Sequence, residues 1–246
     1  MVSPAMRRYR RRTPQQAAFI GNTSDPVNPT EVFGRHAPLR LEVGFGHGEF
    51  IRQLAATHPD EDHIGIEFNP LRVTKTAHKC QQNGLYNVKL YQGDAEGFVR
   101  NRMPPASCHR QYILFSDPWP RKRHRRRRLM NRSFLLDMAR IAQPGCKLMI
   151  ATDSHNYGMQ ALSCCSMLAE LWRPLYPNGY RFDIPTRFTT VFQRHKVSEG
   201  HSICYVHMER STTAAPAPVP LPRSSQAGQH LASDQEDISD QKGIRE

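Results

Sequence analysis

Residues 39–49 read Leu-Arg-Leu-Glu-Val-Gly-Phe-Gly-His-Gly-Glu: a short apolar run carrying an acid, then three glycines at alternate positions. The run Leu39–Val43 has the length and branching of a buried strand. The glycines permit a tight turn that brings backbone N–H groups close to a ligand, just before a helix opens. Outward from this stretch the alternation continues. Strands are expected at Ile64–Glu67, Val88–Gln92, Tyr112–Ser116 and Lys147–Thr152, with helices at 48–58, 70–83, 131–142 and 154–172. Asn69-Pro70 supplies an N-cap and first turn, and Asn83-Gly84 a stop. Such a βαβαβ rhythm folds into a doubly wound, mostly parallel α/β sheet with helices on both faces. Late strands near Tyr180–Phe182 and Ile203–Glu209 would complete it.

Acids mark the ends of the first three strands: Glu42, then Glu67, 19 residues beyond Gly48, then Asp94 in Gly93-Asp94-Ala95. Each alone also fits a helix N-cap. Together they suit a nucleoside, since Glu67 can accept both hydroxyls of a ribose and Asp94 lies within reach of an adenine amino group. A nicotinamide dinucleotide fits poorly. Its Gly-x-Gly-x-x-Gly spacing would put a third glycine at position 49, which is Glu49, whereas the third glycine here is Gly48. Glu42 beside the loop disfavours a pyrophosphate and favours an ammonium or a sulfonium. The ligand that joins adenosine, a sulfonium and an amino acid is S-adenosylmethionine, which makes it the expected cofactor, with Glu42, Gly44, Gly46, Glu67 and Asp94 as its binding residues.

Residues 115–128 read Phe-Ser-Asp-Pro-Trp-Pro-Arg-Lys-Arg-His-Arg-Arg-Arg-Arg. Neither Pro118 nor Pro120 can extend a sheet ladder, so the chain turns there, with Asp117 at the strand end. Every position from 121 to 128 is Lys or Arg except His124. A run of this kind resists burial and suits phosphate contacts, although a solvated patch or localisation signal has the same composition. Its place on the lip of a strand end, where open α/β sheets bind ligands, points to chemistry on a nucleic acid.

Bulk properties agree. The 246-residue chain carries a formal charge of +12 and has a pI near 9.8, typical of nucleic-acid binders. The tail from Ser211 holds three basic and five acidic residues, so residues 1–210 carry +14 and the charge belongs to the body. No apolar run reaches the about 18 residues of a membrane span, and no cationic amphipathic helix, lipidation motif or secretion signal is present, so no membrane partner is expected. The six cysteines lack zinc-type spacing and the twelve histidines lack a metal-binding pair. A reduced, cytoplasmic, metal-free protein is expected, with a basic, largely irregular arm over 1–37 (Arg7, Arg8 and Arg10–Arg12), a folded domain over 38–210 and a disordered Ala/Pro/Ser/Gln-rich tail over 211–246.

From about Phe33 to Arg210 the chain resembles the bacterial tRNA (guanine-N7)-methyltransferases of the TrmB type. The resemblance rests on Leu41–Gly46, Gly65-Ile66-Glu67, Gln92–Ala95, Asp117-Pro118-Trp119-Pro120 with Lys122-Arg123-His124 and Arg127-Arg128, and Ala151-Thr152-Asp153. It implies a seven-stranded, Rossmann-like class I methyltransferase fold. It also implies that Asp117 binds the cofactor and occupies the catalytic position, and that Arg121, Asp153 and the late segment Thr190-Val191-Phe192-Gln193 touch the substrate. Phosphate contacts are expected from Arg123 and Arg125 to Arg128, and the partner is tRNA, bound by a monomer or homodimer. Three positions depart from the family: Arg121 stands where Lys is usual, Gln193 where Glu is usual, and Val191 at an often basic position. A guanidinium is larger and planar, and Gln loses a charge. An RNA-binding relative with weakened turnover, or a methyltransferase for another RNA class, are the alternatives that these departures raise.

Guanine N7 carries a free lone pair, so its methylation needs alignment more than a base. The product is cationic, and a nearby carboxylate stabilises the developing charge. Asp117 and Asp153 are the candidates, and the sequence leaves open which faces the reacting edge. N7 lies in the major groove, too narrow for side chains in A-form RNA, so the target must lie in a loop or junction or be extruded. Trp119 serves either as a stacking aromatic or as a structural wedge.

Overall fold

The computed structural model describes residues 26–184 and 188–212. The arm at Arg7–Arg12, the tail beyond Thr212 and Arg187 lie outside the described residues. The elements are α1 (Pro29–Phe33), β1 (Leu39–Val43), α2 (Glu49–Thr57), β2 (Asp62–Glu67), α3 (Pro70–Gln82), β3 (Val88–Gln92), α4 (Ala95–Arg102), β4 (Cys108–Leu114), a 3₁₀ segment (Lys122–Arg127), α5 (Arg132–Ile141), β5 (Ala142–Thr152), α6 (His155–Ser166), β6 (Trp172–Pro174), β7 (Tyr180–Phe182), α7 (Val191–Ser198) and β8 (Cys204–Arg210).

One sheet runs in the order β3-β2-β1-β4-β5-β8-β6. The first five positions are parallel, and β8 is antiparallel to β5. Strands β6 and β7 follow one another along the same β8, pairing at Met208–Arg210 and Cys204–Val206. Seven positions therefore cross the sheet, while the strands number eight. The central strands are buried on both faces, as parallel strands under crossover helices must be. One face packs Phe134, Leu135, Met138, Tyr157 and Trp172 against β1, β4 and β5. On the opposite face Ile51, Ala55, Val73 and Cys80 from α2 and α3 cover β3 and its neighbours, and Phe50 and Leu54 cover Tyr112 and Tyr205.

Several elements differ from the sequence-based expectation. Within residues 26–37, Asn28 caps the short helix α1, and Val27 and Phe33 are buried in the main core. Helix α4 was not expected, since Gly97 interrupts a polar stretch, yet Asp94 caps it by accepting from Gly97 N at 2.6 Å. Strand β4 starts at Cys108 and stops at Leu114, because Phe115 turns to φ 55°. Helix α6 ends at Ser166, not 172, where the chain turns to bury Trp172, whose Nε1 donates to Leu135 O at 3.1 Å.

Candidate active site

The Gly44–Gly48 loop closes over the end of β2. Gly44 N donates to Ile66 O at 2.7 Å, and Gly48 N to Phe45 O at 2.8 Å. Gly48 has φ 68°, and a Cβ there would sit 2.1 Å from Thr76 Cγ2, so glycine answers both the left-handed turn and the close approach of α3. Beyond the loop lies a cleft of about 270 Å³ at the C-terminal ends of the strands. Gly44, Glu67, Asp94 and Asp117 line it, with Val43, Ile66, Phe68, Arg72, Gly93, Ala95, Phe115, Ser116 and Leu129. Four of the sequence-selected residues thus meet in one cavity.

The acids are held differently. Glu67 is 7% exposed; its Oε2 accepts from Gly46 N and its Oε1 from Asn69 N, both at 2.9 Å. Each oxygen keeps a lone pair for a ligand. Asp94 is both N-cap and cleft residue: Oδ2 holds Gly97 N, and Oδ1 has no partner among the described residues. Glu42 is 3% exposed, behind Val43 and Gly44, and its Oε2 is buried without a hydrogen bond. Burial pushes its pKa up to about 8; the backbone of Ile51 offsets part of this, and the charge of Glu67 adds to it. A buried, unpaired carboxylate oxygen beside an acid-lined cavity is incomplete alone and suits a cationic ligand.

Asp117 is exposed and sits between two residues in the left-handed region, Phe115 at φ 55° and Trp119 at φ 39°. Such conformations cost about 1–3 kcal/mol each and persist only where neighbours enforce them. Here Tyr157 is the neighbour, with its Oη 3.3 Å from Ser116 Oγ and accepting from Met130 N at 3.2 Å. Trp119 is half-buried, with His124 edge-on at 5.6 Å and the Arg127 guanidinium 5.2 Å from its ring centre. These contacts give it a structural role within the turn.

From Arg121 to Arg127 the cationic run is exposed apart from the half-buried His124. Lost hydration and the charges of Arg123, Arg127, Arg121 and Arg126 lower the His124 pKa, and its Nε2 accepts from Arg123 Nε at 3.2 Å. Arg128 breaks with its neighbours and corrects the expectation of a phosphate contact. It is 5% exposed, hydrogen-bonded to Gln160 Oε1 and, at 3.3 Å, to Trp119 O, with its guanidinium 5.4 Å from the Tyr157 ring. It anchors the run to α6 and does not face solvent.

The remaining candidates gather around α7, outside the cleft lining. Thr190 caps this helix by accepting from Gln193 N at 3.0 Å, and Gln193 Nε2 donates to Tyr205 Oη at 2.8 Å. Asp153 lies 4.0 Å from Lys196 Nζ. Phe192 links the helix to the cleft, its ring centre 5.1 Å from that of Phe115. Arg121 is exposed and lines no part of the cleft.

A family model described as "Putative methyltransferase" matches residues 36–201. The tRNA (guanine-N(7)-)-methyltransferase of Geobacter metallireducens is 31% identical over 192 residues, covering 78% of this chain and 91% of the relative. That of Methylococcus capsulatus is 34% identical, covering 75% and 80%. The chain belongs to the bacterial tRNA (guanine-N7)-methyltransferase family. Among solved structures, a 16S rRNA (adenine(1408)-N(1))-methyltransferase from Catenulisporales acidiphilia aligns with TM-score 0.56 at 14% identity, covering 78% of this chain and 95% of that one. The 16S rRNA methyltransferase KamB aligns with TM-score 0.54 at 14% identity, covering 74% and 91%. Both share the fold.

As a member of this family the protein is an S-adenosylmethionine-dependent methyltransferase, and the acid-lined cleft fits that cofactor. Sequence reasoning missed Phe68, Arg72 and Phe115 as cleft residues. Phe68, 76% exposed at the cleft lip, had a signal: an aromatic directly after a strand-ending acid, with no apolar neighbour to bury it. Phe192 falls in the segment 190–193 that the family resemblance sets against the substrate, whereas its contact with Phe115 had no signal, because it joins residues 77 apart in sequence. Among the described residues no group of three or more His, Cys, Asp or Glu could hold a metal ion, and no helix is long and apolar enough to cross a membrane.

Proposed function

We propose that this enzyme transfers a methyl group to N7 of a guanine in the variable loop of tRNA, with Asp117 at the reacting position. The observation that carries this reading is the shared cleft. Glu67, Asp94 and Asp117 line one cavity, and the chain that leaves Asp117 becomes, four residues on, an exposed cationic run. S-adenosylmethionine, when bound, supplies an electrophilic methyl group on a positively charged sulfur. Glu67 would accept from ribose hydroxyls and Asp94 from the adenine amino group. Glu42, which keeps its proton at pH 7 in the free protein, would ionise as the cationic cofactor binds and so set a negative charge beside the loop formed by Gly44 and Gly46.

The reacting guanine needs no proton removed from N7, so Asp117 acts by orienting the base and stabilising the positive charge that grows on it. Asp153, Thr190, Gln193 and Arg121 form the substrate side. Gln193, held by Tyr205, offers a carboxamide oxygen where the family resemblance implies a carboxylate. Arg123, Arg125, Arg126 and Arg127 would hold phosphates, and the arm at Arg7–Arg12 can add to them. The protein would act in the cytoplasm, as a monomer or homodimer and without a metal.

Incubation with tRNA and cofactor, followed by mass spectrometry of the nucleosides, is expected to yield 7-methylguanosine. Cofactor and tRNA binding without any methylated nucleoside would identify an RNA-binding relative that has lost turnover. Preferential methylation of ribosomal RNA in competition would reassign the substrate.

A further inference from the structure

A second cavity, of about 450 Å³, opens along the outer face of α2 and is bounded on one side by Arg194 of α7. Two guanidinium groups from distant parts of the chain, Arg52 and Arg194, border it together with Asn83 and Glu49. Each arginine is anchored by only part of its fork. Arg52 Nε donates to Gly48 O at 3.1 Å, and Arg194 Nη1 donates to Thr189 O and Oγ1 at 3.0 and 3.2 Å. The Arg52 terminal nitrogens and Arg194 Nη2 have no partner among the described residues. The acid that would oppose an anion, Glu49, accepts from the backbone N–H of Val191. Held stems with unspent planar donors are what bidentate phosphate recognition requires. No aromatic side chain lines the cavity, which argues against a nucleobase and against a protein anchor.

We propose that this groove between α2 and α7 is a second phosphate-binding site for the tRNA backbone, separate from the cationic run after Asp117; it rests on the reading of the enzyme as a tRNA methyltransferase. Both walls continue into the active site. Helix α2 follows the Gly44–Gly48 loop, and α7 packs Phe192 against Phe115 of the cleft two residues before Arg194. The groove and the run therefore grip the RNA on different elements joined to one cleft.

The test is tRNA binding by the full chain across 50–200 mM salt, for wild type, Arg52→Gln/Arg194→Gln and Arg52→Lys/Arg194→Lys. Two lost phosphate contacts lower the slope of log affinity against log salt by about 1.4–1.8. The lysine pair keeps most of the slope because it keeps the charges. Cofactor affinity and the single-turnover rate at saturating tRNA stay within about twofold. If the double glutamine variant is poorly folded, Arg194→Gln alone is expected to lose about half as much, since among the described residues its side chain hydrogen-bonds only to Thr189, just before the Thr190 cap of its own helix. An unchanged slope in a folded variant, with wild type binding tRNA normally, overturns the groove alone. Failure of wild type to bind tRNA overturns the groove and the functional reading together.

Discussion

On the β1–β2 side of the cleft the carboxylates are sunk into the protein, whereas after β4 Asp117 stands in water and after β5 Asp153 is half-buried. Each Glu67 oxygen accepts one hydrogen bond from a backbone N–H, and Glu42 is buried. Asp117 is exposed on a turn between two left-handed residues, and Asp153 faces Lys196 Nζ at 4.0 Å. A small cofactor that presents the same atoms each time can be met by fixed, desolvated groups, which interact strongly because water is excluded. A large RNA brings its own charge and its own shape. Its side of the site stays open and exposes cations that exchange bound counterions for phosphates.

The sharpest break of this contrast is Asp117→Ala. Removing an exposed carboxylate leaves the fold intact, and single-turnover methyl transfer is expected to fall at least about 100-fold, roughly 2.7 kcal/mol in barrier. A rate within about threefold of wild type would remove Asp117 from the reaction. On the buried side, Glu67→Ala is expected to weaken cofactor binding by about 1.5–3 kcal/mol through lost charge-assisted bonds. It also frees Gly46 N and Asn69 N, so calorimetry is paired with a thermal melt. Unchanged affinity in a folded variant refutes the assignment.

Within the cationic run the two kinds of environment meet side by side. Replacing Arg125, Arg126 and Arg127 by Gln should lower the salt slope of tRNA binding by about 2–3. Wild type would then lose roughly 16–64-fold more affinity than the variant between 50 and 200 mM salt. Arg128→Gln, by contrast, should leave the slope unchanged and lower stability by about 1–3 kcal/mol, because Arg128 is buried against Gln160, Trp119 O and Tyr157. If Arg128 alters the slope as strongly as its neighbours, the division between anchor and grip is wrong.

Glu42 gives the most specific signal, because it is read as a dependence on pH. Its carboxyl keeps a proton up to about pH 8 in the folded chain, against 4.5 as its ordinary value. The folded state therefore binds more protons than the unfolded state between those values. Stability from this group is complete below about pH 4.5 and is lost as pH rises through about 8, by at most about 1.4 kcal/mol per pH unit. Glu42→Gln should flatten that slope. A cationic ligand favours the ionised acid, so cofactor binding at pH 7 should release a proton, detectable by calorimetry in buffers of different ionisation enthalpy. Proton release that survives Glu42→Gln would place the titration elsewhere.

Much of the cofactor side was legible because its residues are local. Glu42, Gly44, Gly46 and Gly48 lie within seven positions, and strands β1 and β3 begin and end where alternation and turn residues indicate. Asp94 shows that the competing readings were not exclusive, since it caps α4 and lines the cleft at once. The RNA side was less legible. Arg128 has the same composition signal as Arg125, yet Tyr157 and Gln160, from a helix about 30 residues later, bury it.

By itself the sequence determined the alternation of strand and helix, the order of the acids at the strand ends and the placement of a cationic run after Asp117. Periodicity, glycine spacing and charge act over a few residues, so they can be read along a line. Only the tertiary structure decided that Glu42 holds an unpaired oxygen, that Arg128 turns inward, that β6 and β7 share one edge of β8, and that Arg52 and Arg194 face one groove. Each of these depends on which distant segment packs alongside. Burial and desolvation are properties of that packing, and no single stretch of chain carries them.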